Sequence, residues 1–260
     1  MRISVNGIDT YVGTGGKAFD PARPVVVFLH GAGMDHSVWA LLARSFAHHG
    51  CAVLAPDFPG HGRSHGAPLA SIAALADWTA ALIAAAGAEK TRLVGHSMGS
   101  LVALETAARH PGKVTALGLI ATAAPMHVSD DLLNAAKANE RAAIEMISLW
   151  GEGYRATLGG SLAPGLWMLG GAERLLERAR PGAIFADLCA CNTYADALAA
   201  AGKVRVPSVV IQGSRDMMTP LKGGKAIAAA IPGCRLAVID GAGHMLMSER
   251  PEEVLAALRD

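Results

Sequence analysis

The stretch that decides the fold is Thr91-Arg92-Leu93-Val94-Gly95-His96-Ser97-Met98-Gly99, where a short apolar segment meets the pattern Gly-x-Ser-x-Gly. A helix-like stretch follows at residues 100–109. The two glycines allow a sharp turn from strand to helix, which places Ser97 in a strained, exposed position at the carboxyl end of a strand. The start of the helix directs free N–H groups toward nearby negative charge. The stretch therefore predicts a nucleophilic serine.

A second copy of the pattern occurs at Gly62-Arg63-Ser64-His65-Gly66. No strand precedes this copy, no helix follows it directly, and Pro68 lies just beyond it. The pattern carries meaning only between a strand and a helix. Ser64 is therefore predicted to be a loop residue.

A nucleophilic serine needs a base that takes its proton and an acid that orients the base. An apolar strand-like run at residues 206–213 leads into Ser214-Arg215-Asp216, and a second run at 236–239 leads into Asp240-Gly241-Ala242-Gly243-His244. Both side chains thus follow the end of a predicted strand. The chain order is Ser97, Asp216, His244.

Five segments together resemble the α/β-hydrolase superfamily, in that family's order and across residues 30–245. The resemblance implies a serine hydrolase with a mostly parallel sheet, helices on both faces and an inserted helical cap. The segments are His30-Gly31-Ala32-Gly33, Asp57-Phe58-Pro59-Gly60-His61-Gly62-Arg63-Ser64, Gly95-His96-Ser97-Met98-Gly99, Gly213-Ser214-Arg215-Asp216-Met217-Met218-Thr219-Pro220 and Gly241-Ala242-Gly243-His244-Met245.

Each catalytic candidate has rivals in the chain. Asp240 is nearer in sequence to His244 than Asp216 is, but it ends a strand beside glycines, where aspartate commonly caps a turn. Some relatives carry the acid after the preceding core strand, yet residues 121–125 contain no carboxylate. Asp216 is therefore the favoured acid. Of the ten histidines, His244 is the predicted base, and the motif histidines at 30, 61 and 96 are expected to hold loops.

An oxyanion formed at the attacked carbonyl needs preorganised N–H donors. The backbone N–H of Met98 lies at the start of the predicted helix, and the resemblance implies that the second donor is the N–H of Ala32. Both assignments concern backbone geometry. Gly31 and Gly33 also fit an ordinary tight turn after the strand at residues 25–29.

Six strand-like runs alternate with helical stretches, which is typical of a mostly parallel α/β sheet with reactive loops at the carboxyl ends of its strands. Between residues 125 and 202 the alternation stops, and helices are expected at 129–150, 172–180 and 183–201. We predict a core formed by residues 1–125 and 203–260 and a helical cap formed by residues 126–202. The strand-like runs are residues 25–29, 52–55, 92–94, 115–120, 209–212 and 236–239.

Composition limits the classes of partner. The chain has 260 residues, 52% of them hydrophobic, and a net charge of +1 that is dispersed, so no nucleic-acid groove and no membrane patch is expected. Residues 1–12 alternate like a hairpin without the apolar run of a signal peptide, which predicts a cytoplasmic protein. Four scattered cysteines predict neither a disulfide framework nor a metal site. Self-association as a homodimer is left open.

Methionines cluster beside the predicted catalytic loops, and methionine adapts to irregular apolar space. An apolar pocket that accepts several acyl groups is therefore expected, although core packing explains many of these residues equally well. The candidate pocket residues are Met34, Met126, Met146, Trp150, Trp167, Met218 and Met245.

The predicted reaction is cleavage of a carboxylic ester, lactone or thioester of a small, largely apolar substrate through an acyl-enzyme on Ser97, with no cofactor. Carbon–carbon bond hydrolases and haloperoxidases of the family are alternatives, but they tend to carry asparagine or an aromatic residue where His96 stands. A capped small-molecule binding protein without activity is the alternative outside enzymes.

Overall fold

The computed structural model describes residues 1–159 and 167–259. Its centre is a sheet of eight strands in the order β1-β2-β4-β3-β5-β6-β7-β8. The β1–β2 and β2–β4 pairs are antiparallel, and the other five pairs are parallel. The strands are Arg2–Val5, Ile8–Gly13, Val25–Leu29, Ala52–Pro56, Thr91–His96, Val114–Ile120, Ser208–Gly213 and Arg235–Ile239.

Helices surround the sheet, and two 3₁₀ turns occur at His36–Trp39 and Pro111–Lys113. The α-helices α1 to α12 are Ala40–His48, Ile72–Ala85, Met98–Arg109, Asp130–Lys137, Arg141–Gly151, Tyr154–Thr157, Met168–Leu176, Ala183–Asn192, Ala197–Ala201, Leu221–Ala230, Leu246–Glu249 and Pro251–Arg259. None of the helices in the described ranges is both long enough and apolar enough to cross a membrane.

The two faces of the sheet bury separate apolar clusters. In β3, Val25, Val27 and Leu29 face one cluster, while Val26 and Phe28 face the other. This alternation follows from the two-residue period of a strand. Helices α2, α3 and α10 pack on the first face, and α1 and α12 pack on the second. The predicted α/β fold, with a mostly parallel sheet and helices on both faces, is confirmed.

Helices α4 to α9 lie between β6 and β7, and we call them the helical insertion. Two helices predicted from the sequence are each divided in two. The first breaks at Asn139, whose φ of 54° is a left-handed conformation that ends α4. The second breaks after Asn192, and the short helix α9 packs on α3 and α10.

The topology brings four loops to one edge of the sheet. Strands β3, β5, β7 and β8 are parallel, so their carboxyl ends lie together. Ala32, Ser97, Asp216 and His244 each follow the end of one of these strands. The fold thus gathers the residues that the sequence had marked in four separate motifs.

Candidate active site

Ser97 occupies a strained turn between β5 and α3. Its φ of 52° and ψ of −120° lie in a region that non-glycine residues rarely adopt. The turn is tight because a Cβ at Gly95 would lie 2.0 Å from the carbonyl oxygen of Gly99, and a Cβ at Gly99 would lie 2.1 Å from that of Leu29. Only glycine fits at both positions. The backbone therefore holds Ser97 in the geometry that the Gly-x-Ser-x-Gly pattern predicts.

His244 and Asp216 form a buried hydrogen-bonded pair. The Nδ1 atom of His244 donates to Oδ2 of Asp216 at 2.9 Å, and the hydroxyl of Thr219 donates to the same oxygen at 2.6 Å. The other carboxylate oxygen, Oδ1, accepts from the backbone N–H groups of Met218 and Thr219. Burial alone would raise the pKa of Asp216, but the charge of His244 and these hydrogen bonds outweigh it and hold that pKa below its ordinary value.

The rival acid, Asp240, is engaged elsewhere. Its Oδ1 atom accepts a hydrogen bond from the hydroxyl of Ser214 at 2.9 Å, and the pair is exposed. The same hydroxyl accepts from the N–H of Gly241, so Asp240 is part of a turn. The structure thus brings Asp216, and not Asp240, to the ring of His244.

The motif histidines hold loops. His30 accepts a hydrogen bond from the N–H of Phe58 through Nε2 at 3.1 Å, and His96 donates through Nε2 to the carbonyl oxygen of His244 at 3.0 Å. Burial, followed by the nearby charge of His244, lowers the pKa of His96 to about 3, so its ring is neutral. Ser64 also acts in a loop, since its buried hydroxyl donates to the carbonyl oxygen of Asp57.

The two backbone donors expected for an oxyanion belong to the residue after Ser97 and to the loop after β3. Met98 is the first residue of α3, so its N–H group has no acceptor within the helix. Ala32 lies in the loop after β3, and a Cβ at its neighbour Gly31 would be only 3.3 Å from Cβ of Ser97. The loop after β3 therefore runs directly past the serine.

Ser97 and His244 line the same cavity, which has a volume of about 310 Å³. Ala32 and Thr219 also line it. Five of the predicted pocket residues line it: Met34, Met126, Trp150, Met218 and Met245. The remaining wall is largely aliphatic, and no motif in the sequence marks it. Its main members are Val128, Leu132, Ile147, Leu175, Leu176 and Leu188. The apolar faces of α4, α5, α7 and α8 were the only available signal for them.

Two predicted pocket residues are not in the cavity wall. Met146 packs into an apolar cluster, while its neighbour Ile147 lines the cavity, because adjacent residues of a helix point about 100° apart. Trp167 is 69% exposed and lies just before α7. Its ring covers Gly170, where an added Cβ would lie 2.3 Å from the indole. The structure does not place these two residues in the described cavity wall, and their part in a substrate pocket stays a prediction.

One group of side chains in the described ranges has the spacing of metal ligands, namely Asp35, His36 and Asp57. Its oxygens are already occupied. Asp57 accepts from the N–H and Nδ1 of His36 at 2.7 Å, and Asp35 accepts from Ser37 and from the guanidinium of Arg178. The cluster is a hydrogen-bonded loop anchor, and its chemistry does not call for an ion.

Known proteins match this chain over most of its length. The family described as alpha/beta hydrolase fold matches residues 24–251. The pimeloyl-acyl-carrier-protein methyl ester esterase of Chromobacterium violaceum is 34% identical over 248 residues, which cover 91% of this chain and 93% of that protein. The enzyme of the same name from Aromatoleum aromaticum is 32% identical, over 92% of this chain and 98% of that protein.

Among solved structures, the enol-lactonase from Burkholderia xenovorans LB400 superposes with a TM-score of 0.86 at 23% identity, over 100% of this chain and 98% of that one. This likeness concerns the fold. The two curated relatives confirm the prediction of a hydrolase that acts on ester bonds, and they do not favour the alternatives. The chain therefore belongs to the alpha/beta hydrolase fold family.

Proposed function

We propose that the chain is a serine esterase in which Ser97 is the nucleophile, His244 the general base and Asp216 the residue that orients the base. One observation carries the proposal. The buried pair of His244 and Asp216 engages Nδ1 of the ring, which leaves Nε2 for a partner in the cavity that Ser97 also lines. Backbone strain at Ser97 and its place at the start of α3 support the same role.

The reaction proceeds in two steps of acyl transfer. His244 takes the proton of Ser97 as Oγ attacks the ester carbonyl, and the N–H groups of Ala32 and Met98 stabilise the oxyanion. The protonated His244 then gives its proton to the leaving alcohol as the C–O bond breaks. Water then attacks the acyl-enzyme as His244 takes its proton, and His244 returns that proton to Oγ of Ser97 as the bond between Oγ and the acyl carbon breaks and the acid leaves. No cofactor enters this sequence of steps.

The acyl group that fits the cavity is uncharged. No aspartate, glutamate, lysine or arginine occurs among the described residues that line it, and most of its wall is aliphatic or methionine. A carboxylate placed there would lose its hydration without gaining a partner. We therefore propose neutral esters of small to medium acyl chains as substrates.

The curated relatives are named for a methyl ester on a carrier-bound acyl chain, and we propose that this enzyme acts on free esters instead. Residues 126–202, which contain the helical insertion, carry six Lys/Arg and nine Asp/Glu. Several of these arginines already bind acceptors within the chain. Arg141 and Arg174 pair with Glu177, Arg178 pairs with Asp35, and Arg180 donates to the carbonyl oxygen of Ser64. An acidic carrier would meet few free cations here.

The first experiment is hydrolysis of p-nitrophenyl esters from acetate to long acyl chains, with Ser97→Ala as the matched variant. We expect the variant to lose a factor of about 10⁴ or more in kcat. Dimethyl pimelate and monomethyl pimelate then form a neutral and a charged pair, of which the neutral diester should react faster. Equal inactivity of wild type and variant on every ester would contradict the proposal.

Three statements from the sequence stay predictions: the division into a core and a cap at residues 126–202, a cytoplasmic location, and the absence of nucleic-acid or membrane partners. Whether the chain forms a homodimer remains open. Contacts support the cap, since α5, α7 and α8 contribute Ile147, Leu176 and Leu188 to the cavity that holds Ser97. Cell fractionation would test the location, and light scattering would give the oligomeric state.

A further inference from the structure

The carboxylate of Asp187, in the middle of α8, joins three distant parts of the chain. Its Oδ2 atom accepts a hydrogen bond from the backbone N–H of Gly33 at 2.8 Å and another from Nε2 of His61 at 2.8 Å. These partners lie 154 and 126 residues away in sequence. Both side chains of the pair are 1% exposed. The contact therefore links the helical insertion to two core loops inside the protein.

His61 and Asp187 form a buried hydrogen-bonded pair. The Nδ1 atom of His61 lies 3.0 Å from the carbonyl oxygen of Pro59, and Nε2 lies 2.8 Å from Oδ2 of Asp187, so each ring nitrogen has an oxygen acceptor when it carries a proton. Burial lowers the pKa of His61, but the charge and hydrogen bond of Asp187 outweigh it and raise that pKa above its ordinary value. Removal of either partner would leave a buried polar group without its hydrogen bond.

The hydrogen bond to Gly33 fixes the loop that carries the proposed oxyanion donor. The carbonyl oxygen of Gly31 is held by Nδ1 of His30 at 2.9 Å, and Ala32 N–H lies in the same planar peptide, opposite that carbonyl. The next peptide is held through Gly33 N–H by Asp187. The two peptides that flank Ala32 are thus both pinned by side chains, one from the core and one from α8.

Packing leaves this loop little freedom. Gly33 has a φ of 68°, and a Cβ there would lie 2.7 Å from Cγ1 of Ile184, which also belongs to α8. On the other side, a Cβ at Gly31 would meet Nδ1 of His96 at 2.9 Å and Cβ of Ser97 at 3.3 Å. The loop is therefore held between α8 and the nucleophile, and a shift of α8 changes the position of Ala32 relative to Ser97.

We propose that Asp187 is a positioning residue for the oxyanion hole, so that the helical insertion completes the catalytic centre in addition to covering it. This inference rests on the proposed serine esterase function. Asp187 touches no reacting atom and acts through Gly33 and Ala32. Its loss should slow the acyl transfer steps, because displacement of a donor by about 1 Å costs up to about 100-fold in rate.

If Asp187 only stabilised the contact between the insertion and the core, its replacement would have a different effect. The melting temperature and the folded fraction would fall, while each folded molecule would keep its rate of ester hydrolysis. A misplaced oxyanion donor lowers kcat and also reduces the preference for an ester over its thionoester, in which sulfur replaces the carbonyl oxygen. N–H donors placed for an oxygen stabilise the larger and weaker acceptor poorly, so the oxoester-to-thionoester rate ratio reports on the hole itself.

The test compares Asp187→Asn and Asp187→Ala with the wild type, and uses Asp196→Asn, an exposed aspartate of the same insertion, as the control. Folded concentration is set by circular dichroism. We expect kcat for an oxoester to fall about tenfold in Asp187→Asn and about 100-fold in Asp187→Ala, with KM within about twofold. The oxoester-to-thionoester ratio should fall in parallel, and the control should match the wild type.

If Asp187→Ala does not fold, Asp187→Asn, which keeps the shape and an acceptor oxygen, carries the comparison. An unchanged ratio in Asp187→Asn, at any kcat, would overturn the inference, because the defect would then lie outside the oxyanion hole. Failure of the esterase proposal looks different. In that case the wild type hydrolyses no ester or Ser97→Ala retains its rate, and the role of Asp187 falls with it.

Discussion

The backbone carbonyl of Gly151, at the end of α5, accepts hydrogen bonds from the N–H of His244 at 2.9 Å and of Met245 at 3.0 Å. The proposed general base is thus held by the helical insertion as well as by the core. Together with the hydrogen bond from the N–H of Gly33 to the carboxylate of Asp187, this means that the insertion holds the backbone of two loops of the candidate site. The insertion and the catalytic loops therefore form one packed unit.

Asp216→Asn should reduce kcat by about 10⁴, because an amide at this position cannot hold Nδ1–H of His244 in the correct tautomer or stabilise the imidazolium. The matched control is Asp240→Asn, which changes the rival carboxylate in the turn with Ser214. It should stay within about twofold of the wild type. Steady-state kinetics on a p-nitrophenyl ester gives kcat for both variants. A larger loss of kcat in Asp240→Asn than in Asp216→Asn would reverse the assignment of the acid.

Trp150→Ala should lengthen the acyl pocket, since Trp150 lines the cavity. Each additional buried methylene contributes about 0.8 kcal/mol, so the preference for octanoate over butyrate in kcat/KM should rise about tenfold or more. Trp167→Ala removes an equal side chain that is exposed outside the cavity. Its chain-length profile should match that of the wild type, and equal profiles for both variants would argue against this pocket as the acyl site.

Gly99→Ala should destabilise the protein by about 3 kcal/mol or more, because the added methyl would overlap the carbonyl oxygen of Leu29 in a rigid strand. Gly112→Ala is the control, since a Cβ at Gly112 meets no atom of the described residues within 4 Å. Its stability should lie within about 0.5 kcal/mol of the wild type. Urea unfolding at constant m-value gives both free energies, and near-wild-type stability of Gly99→Ala would mean that the turn is looser than described.

Glu152 predicts a pH dependence of stability. Both of its carboxylate oxygens are buried and have no hydrogen-bond partner among the described residues, and burial, followed by the charge of Glu249, raises its pKa to about 8. The unfolded chain ionises Glu152 near its ordinary pKa, so the folded state binds the extra proton between pH 4.5 and 8. This contribution to stability is fully present below pH 4.5 and is lost as the pH rises through 8.

Glu152→Gln removes that titration while it keeps the shape of the side chain. The variant should unfold with a free energy within about 1 kcal/mol of that of the wild type at pH 5 and higher by roughly 4 kcal/mol at pH 8.5. Urea titrations at the two pH values measure the difference. The groups that face Glu152 include Glu249, whose own pKa is also raised by burial. Glu249→Gln is therefore measured in the same way as a second variant. A pH-independent difference between wild type and Glu152→Gln would contradict this prediction.

Local patterns in the sequence accounted for much of the fold and for the three candidate catalytic side chains. The predicted strand at residues 25–29 matches β3. The predicted runs at 92–94, 209–212 and 236–239 lie within β5, β7 and β8, and each observed strand extends one or two residues beyond its run at one end or at both. Boundaries shift because the end of a strand depends on pairing with its neighbours. The bend at Asn139 was missed because asparagine tolerates the left-handed conformation without requiring it.

The sequence by itself determined the groups that carry the chemistry and the turns that present them. Those features depend on constraints among adjacent residues, such as the contact between Gly95 and Gly99 that forces the turn at Ser97. Only the tertiary structure decided that Ile147 faces the cavity instead of Met146, that Trp167 lies outside it, and that Asp187 reaches Gly33 and His61. These relations depend on the rotation and docking of whole helices, and a rotation of about 100° per residue exchanges the faces of a helix.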